Sequence, residues 1–112
     1  MSASRAKGTR WERLCRDFLR LNGQPDCDRL AIGGSDDRGD LTGVPGWLVE
    51  CKAVTRMELG SHLATAMAKA ERHGLKPVLL VKRRNHPVAR GFAIMPIATW
   101  AQLIARWDDD AA

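Results

Sequence analysis

Trp47-Leu48-Val49-Glu50-Cys51-Lys52 is the stretch from which the rest of the chain can be read. In an extended strand, side chains alternate between faces, so Trp47, Val49 and Cys51 share one face while Leu48, Glu50 and Lys52 share the other. Just upstream, Asp40-Leu41-Thr42 begins another strand, and Val44-Pro45-Gly46 between the two is turn chemistry. If both segments belong to one hairpin, Asp40, Glu50 and Lys52 converge on one face. Two carboxylates beside a lysine offer hard oxygen ligands for magnesium, with an ammonium next to them. Such a grouping suits phosphodiester hydrolysis better than it suits a plain solvated sheet.

Working outward, Trp11, Leu14, Cys15, Phe18 and Leu19 recur at helical spacing, with Arg10, Arg13, Arg16 and Arg20 on the opposite face. Thr9 is positioned as an N-cap and Asn22-Gly23 as a stop, with residues 1–8 small, basic and loose. Cys27–Ile32 reads as a short strand closed by Gly33-Gly34-Ser35, and Ser35–Gly39 as a polar loop. After Lys52, the alanine-rich Leu59–His73 reads as a helix ending at Gly74. Val78-Leu79-Leu80-Val81 is a continuous apolar run, as expected of a strand covered on both faces. Lys82–Arg90 is a basic turn, Phe92–Met95 a fifth strand, and Ile97–Trp107 a closing helix followed by an acidic tail at residues 108–112. The order α-β-β-β-α-β-β-α predicts an α/β fold with a central mixed five-stranded sheet flanked by helices, as a single domain over residues 1–112.

The 112 residues carry a formal net charge of +5, and a basic surface attracts polyanions, nucleic acid foremost inside cells. A merely soluble basic protein has the same composition. No stretch approaches the roughly 18 apolar residues of a membrane span, and no apolar signal-peptide core is present. The three cysteines show no CxxC spacing and read as small buried hydrophobes of a reducing compartment. A cytoplasmic location, without membrane attachment or a nucleotide cofactor, is the expectation.

Asp40 and Glu50 are the expected metal ligands, with the Cys51 main-chain carbonyl as a third oxygen. Lys52 is placed to orient or deprotonate an attacking water, or to neutralise developing charge. Glu12, at the edge of the first helix's apolar stripe, can lean over the strands as a further ligand. Against this stands the plain alternative of an exposed strand face, because Glu-x-Lys arises by chance in many strands.

Lys7-Gly8-Thr9-Arg10-Trp11-Glu12-Arg13, the Gly33-Gly34-Ser35 turn, Gly39-Asp40 and Val49-Glu50-Cys51-Lys52 together resemble the archaeal-type Holliday junction resolvases. That family belongs to the PD-(D/E)xK nuclease superfamily, whose core is restriction-endonuclease-like. The similarity runs from about residue 5 to the closing helix, where Gly91-Phe92-Ala93-Ile94-Met95-Pro96 resembles the family's last strand. The resemblance implies a homodimeric, Mg2+-dependent endonuclease, with Mn2+ substituting, that cuts four-way DNA junctions symmetrically. It assigns Glu12, Asp40, Glu50 and Lys52 to the active site and Ser35 to a loop preceding the metal-binding aspartate. Two departures stand out. Glycine replaces the superfamily's usual proline before Asp40, and Gly60-Ser61-His62 occupies a helix where glutamine and tyrosine are expected. The size and these substitutions would suit a phage or bacterial relative, for which the compartment is the host cytoplasm.

Arg5, Lys7, Arg10 and Arg13 are candidate phosphate contacts near the site, as are Arg56 and the basic turn with Lys82, Arg83, Arg84, His86 and Arg90. A solvated face is the simpler alternative for each. Asp36 and Asp37 read as solvated loop residues. His62 and His73 are too far apart on one helix to share a metal. The tryptophans are core candidates, though one of them, with Leu59, Leu63 and Met67, could instead serve a subunit interface. Two other readings remain open: a flap- or single-strand-selective nuclease of the same superfamily, and a non-catalytic nucleic-acid-binding module.

Overall fold

Asn22 and Gly23 end the first helix where the sequence places its stop, but its beginning lies earlier than the motif suggests. In the computed structural model, which describes residues 2–30 and 37–111 and the side chains up to Trp107, α1 runs Ala3–Leu21. Ser2, not Thr9, is the N-cap: its side chain accepts a hydrogen bond from the Arg5 amide at 3.2 Å. The reason lies in the residues that follow, since Ala3, Arg5, Ala6 and Lys7 are good helix formers and Gly8 is tolerated among them. Thr9 and the basic residues before it therefore ride on a regular helix. Trp11 and Cys15, four residues apart, are the buried face of α1.

The sheet has the order β1-β2-β3-β4-β5, with β1 Asp28–Arg29, β2 Leu41–Thr42, β3 Trp47–Lys52, β4 Lys76–Val81 and β5 Phe92–Ile94. The expected strand Cys27–Ile32 pairs over Asp28–Arg29, and Leu30 continues the contact by donating its amide to the Asp40 carbonyl at 3.0 Å. Residues 31 and 32 lie outside the described residues. β2 and β3 form the expected antiparallel hairpin with Leu41 opposite Val49. α2, Leu59–His73, then carries the chain over the sheet, so β4 returns parallel to β3 with Glu50 beside Leu79 and Lys52 beside Val81. β5 turns back antiparallel on β4. One helical crossover among hairpins is what makes the sheet mixed.

Each face of β3 and β4 has its own core. On the α1 side, Trp11, Cys15, Cys27, Leu41, Val49 and Val78 pack together; on the α2 side, Leu48, Leu79, Val81, Ala66 and Ala70 do. The alternation of β3 thus divides as read: Val49 and Cys51 face α1, while Leu48 faces α2 and carries Glu50 with it. Burying Leu41, Leu48 or Leu79 completely contributes about 1.5–3 kcal/mol each. The Trp11 indole N–H also donates to the Leu80 carbonyl at 2.9 Å, fixing α1 against the sheet.

α3, Ile97–Ala111, is packed differently and includes residues 108–111 of the expected tail. Thr99 is buried, yet Ile97, Trp100, Ile104 and Trp107 form an exposed stripe, 84% exposed at Ile97 and 74% at Trp107. Trp100 and Trp107 are therefore not core residues, whereas Trp11 is. Among the described residues no helix is long and apolar enough to cross a membrane.

Candidate functional site

Asp40 is set in place by the residue before it. Gly39 is buried with φ +92°, and a Cβ there would lie 2.7 Å from the Val49 carbonyl oxygen. Only glycine permits that approach, and a proline, held near φ −65°, could not take this conformation. Glycine at position 39 is therefore a backbone requirement of this hairpin. The Gly39 amide donates to Asp37 Oδ1 at 3.0 Å, the Asp40 amide to the Val49 carbonyl at 2.8 Å, and the Cys51 amide to Asp40 Oδ2 at 2.7 Å. These bonds hold the Asp40 carboxylate against β3, beside Glu50.

Glu50 is a charged residue buried to 5% exposure on the α2 face of the sheet. Burial pushes its carboxyl above the ordinary range, and the neighbouring Asp40 carboxylate pushes it further in the same direction. Lys69 of α2 opposes both, its Nζ lying 2.9 Å from Glu50 Oε1 and 2.7 Å from Asp37 Oδ2. Burial works against the Lys69 charge, but its hydrogen bonds to Asp37 and Glu50 outweigh that and leave its pKa raised. The same bond, helped by the Gly39 amide, holds Asp37 below its ordinary value. Asp37, a loop residue still half exposed to solvent, is tied to the site by these two bonds.

Lys52 follows Glu50 by two residues along β3, and the strand alternation puts both on one face. It is partly buried and makes no ion pair among the described residues. Glu12 is occupied by Arg29, whose Nε lies 3.0 Å from Glu12 Oε1. Glu12 and Asp40 line one cleft of about 470 Å³ together with Arg5, Gly8, Thr9, Arg29 and Leu30. Among the described residues no three His, Cys, Asp or Glu side chains gather as a metal-holding group. Asp40 and Glu50 therefore meet as a pair, and Glu12 stands apart from it on α1. Ser35 and Asp36, with the Gly33-Gly34 turn, lie outside the described residues.

Cys51 enters the site through its main chain. Its thiol faces α1, where the Cys15 side chain first and burial second push its pKa far up, so it is no nucleophile. The other candidates divide into two groups. Lys7, Lys82 and Arg84 line a second cleft of about 440 Å³ with Ala53, Val54, Thr55 and Asn85. Arg10, Arg13, Arg56 and Arg90 are exposed, and the Arg83 guanidinium sits 5.6 Å from the centre of the Phe92 ring. His62 Nδ1 lies 3.4 Å from the Met57 sulfur, away from any metal-holding group among the described residues.

Lys69 and Arg29 are the polar residues that the sequence reading passes over. Lys69 had a signal: it lies between Ala66 and Ala70, both fully buried, so a helix face that meets the sheet carries one lysine. A lysine on such a face needs a buried partner, and Glu50 is the nearest unpaired carboxylate on the facing strand. Arg29 had none, because its pairing with Glu12 depends on how α1 crosses β1. Comparison with protein-family models, with curated proteins and with solved structures found no match to the chain.

Proposed function

We propose that this chain is a metal-dependent endodeoxyribonuclease with a restriction-endonuclease-like core, acting on branched DNA as a Holliday junction resolvase. One observation carries the reading: the Asp40 carboxylate, bonded to the Cys51 amide, lies beside the Glu50 carboxylate, with Lys52 two residues along the same strand. Crowding two carboxylates, one of them buried, opposes folding, and a site that accepts this opposition is one where a cation is wanted. The donor set is hard oxygen, which fits magnesium or manganese.

Asp40, Glu50 and the Cys51 main-chain carbonyl would hold the ion. When bound, such an ion polarises a phosphate oxygen and makes a bound water more acidic. The protein's own residues do the rest. The Cys51 amide fixes which Asp40 oxygen is left free, and Lys52 can take a proton at Nζ as the neutral amine, or as the ammonium donate one or offset charge on the phosphate. Lys69, through its bond to Oε1, favours the charged form of Glu50 against burial and the Asp40 carboxylate. Glu12, from the far side of the cleft, can assist only if Arg29 releases it.

Homodimerisation belongs to the same proposal. The stripe Ile97, Trp100, Ile104 and Trp107 has the alternating three- and four-residue spacing of a helix-pairing seam and is exposed. Two sites related by a two-fold axis would match the two strands cut in a two-fold junction. The choice of a junction over flaps or single strands rests on the resemblance.

The alternative, a nucleic-acid-binding module without catalysis, draws on a specific feature: Lys69 already satisfies Glu50, and no third ligand joins the pair among the described residues. A labelled synthetic four-way junction separates the readings. With Mg2+, the proposal expects paired symmetric nicks and a strong preference over linear duplex. Cutting confined to flaps would transfer the site to a flap nuclease, and binding without cutting of any DNA would leave only the binding module.

A further inference from the structure

The second cleft, at the carboxyl ends of the parallel strands, is unlike the carboxylate site. Its cationic lining residues come from separate elements: Lys7 from α1, and Lys82 and Arg84 from the segment after β4; the stretch leaving β3 adds Thr55. Among the described residues no acidic side chain lines it, and none of its three cations has a carboxylate partner. The lining is also held in place. Lys82 donates its amide to the Lys52 carbonyl at 2.9 Å, and the turn that follows is closed by the His86 amide on the Arg83 carbonyl at 3.2 Å. Asn85, at φ +63°, is the one non-glycine with positive φ among the described residues, and it lines the cleft.

We infer that this cleft is a phosphate anchor for a nucleic-acid strand, separate from the place where the carboxylates act. Three unpaired cations exceed what one diester charge requires and match a phosphate group together with its neighbour, or a doubly charged terminal phosphate. Thr55 and Asn85 add neutral hydrogen-bonding side chains for phosphate or sugar oxygens. A cleft of about 440 Å³ is large enough for a whole nucleotide and lies within the range of small-ligand sites. The placement also follows a general rule, since ligands of sheets with parallel strands collect beyond their carboxyl ends. Because the Lys82 amide is bonded to the Lys52 carbonyl, a strand gripped there would pass beside the Lys52 end of β3. An internal diester and a terminal monoester share this chemistry.

The assignment rests on the nucleic-acid reading above but not on cleavage, so its test is binding in EDTA. Fluorescence anisotropy with labelled single-stranded oligonucleotides, with and without a 5′- or 3′-phosphate, compares the wild-type chain with the pair Lys82→Gln/Arg84→Gln. Lys7→Gln, on a different element, is an independent second variant. Lys76→Gln/Arg106→Gln removes the same charge at the amino ends of the same strands and is the control. The cleft variants should weaken binding about tenfold at 100 mM salt and reduce the salt slope by about 1, while the control changes both far less. If wild type prefers phosphorylated ends and the variants lose that preference, the anchor holds a terminal phosphate. Equal loss for both kinds of oligonucleotide assigns it to an internal one. Equal weakening by the cleft and control variants overturns the anchor while leaving nucleic-acid binding intact. No binding to any oligonucleotide also overturns the anchor, and the nucleic-acid reading is then decided by the four-way junction alone.

Discussion

Gly39→Ala tests the backbone that delivers Asp40 to Glu50. The new Cβ would lie 2.7 Å from the Val49 carbonyl oxygen and 3.2 Å from its amide nitrogen, both in the strand that carries Glu50. Neither can move without loosening the hairpin ladder. Holding a non-glycine residue at φ +92° costs about 1–2 kcal/mol, and crowding a methyl against packed backbone costs about 1–3 kcal/mol more. The sum, about 2–5 kcal/mol, corresponds to a melting-temperature loss of roughly 8–20 °C at about 4 °C per kcal/mol for a domain of this size. Gly60→Ala is the matched control, because Gly60 lies in α2 with nothing within 4 Å of its added Cβ and no positive φ. That change should raise stability by about 0.4–1 kcal/mol. Thermal unfolding followed by circular dichroism measures both. If Gly39→Ala melts within about 2 °C of wild type while Gly60→Ala behaves as stated, the close approach at Gly39 does not set the hairpin.

Lys69→Met should destabilise the fold by about 3 kcal/mol near pH 7, because it leaves the buried Glu50 carboxylate without its cation. The effect has a defined pH window. Lys69, raised in the fold, stabilises below its unfolded pKa and stops doing so as pH rises through its folded one; Asp37, lowered, stabilises above its unfolded pKa and stops as pH falls through its folded one. Glu50, raised, takes up its proton early on acidification, so urea unfolding in EDTA should show the gap shrinking between pH 7 and pH 4; a gap independent of pH would contradict the pairing. Trp107→Lys with Ile97→Lys places charge on the exposed α3 stripe and should convert a dimer to a monomer in sedimentation without lowering the melting temperature of the protomer's core. A wild-type chain that is monomeric at micromolar concentration would remove that stripe as the pairing surface.

The hairpin was legible because three independent signals agreed: alternation in Trp47–Lys52, turn residues before it, and an acidic residue at matching distance. The length of α2 and the buried character of β4 were equally plain, since an alanine-rich run with a Gly74 stop and a four-residue apolar run each have one reading. The start of α1 was not, because Thr9 has cap chemistry while the true cap, Ser2, lies before a run whose helical tendency is spread over several ordinary residues. In the site, Asp40 and Glu50 come together as their spacing suggests, but the partners that tune them come from elsewhere in the chain. Lys69 reaches Glu50 across 19 residues and Arg29 reaches Glu12 across 17, and such pairings depend on helix placement that strand alternation does not encode. The exposed stripe on α3 misled in another way: amphipathic spacing shows that a helix has an apolar face, not that its own chain covers it.

Cleavage and binding of a four-way junction by Asp40→Ala, Glu50→Ala and Lys52→Ala, each measured with Mg2+ and with EDTA, bears most directly on the proposed chemistry. Wild type should cut only with the metal, and each variant should lose at least about a hundredfold in cutting rate while holding the junction with near wild-type affinity. Cutting that persists in the Asp40 and Glu50 variants, or that proceeds equally in EDTA, would show that the paired carboxylates are not where the phosphodiester is hydrolysed.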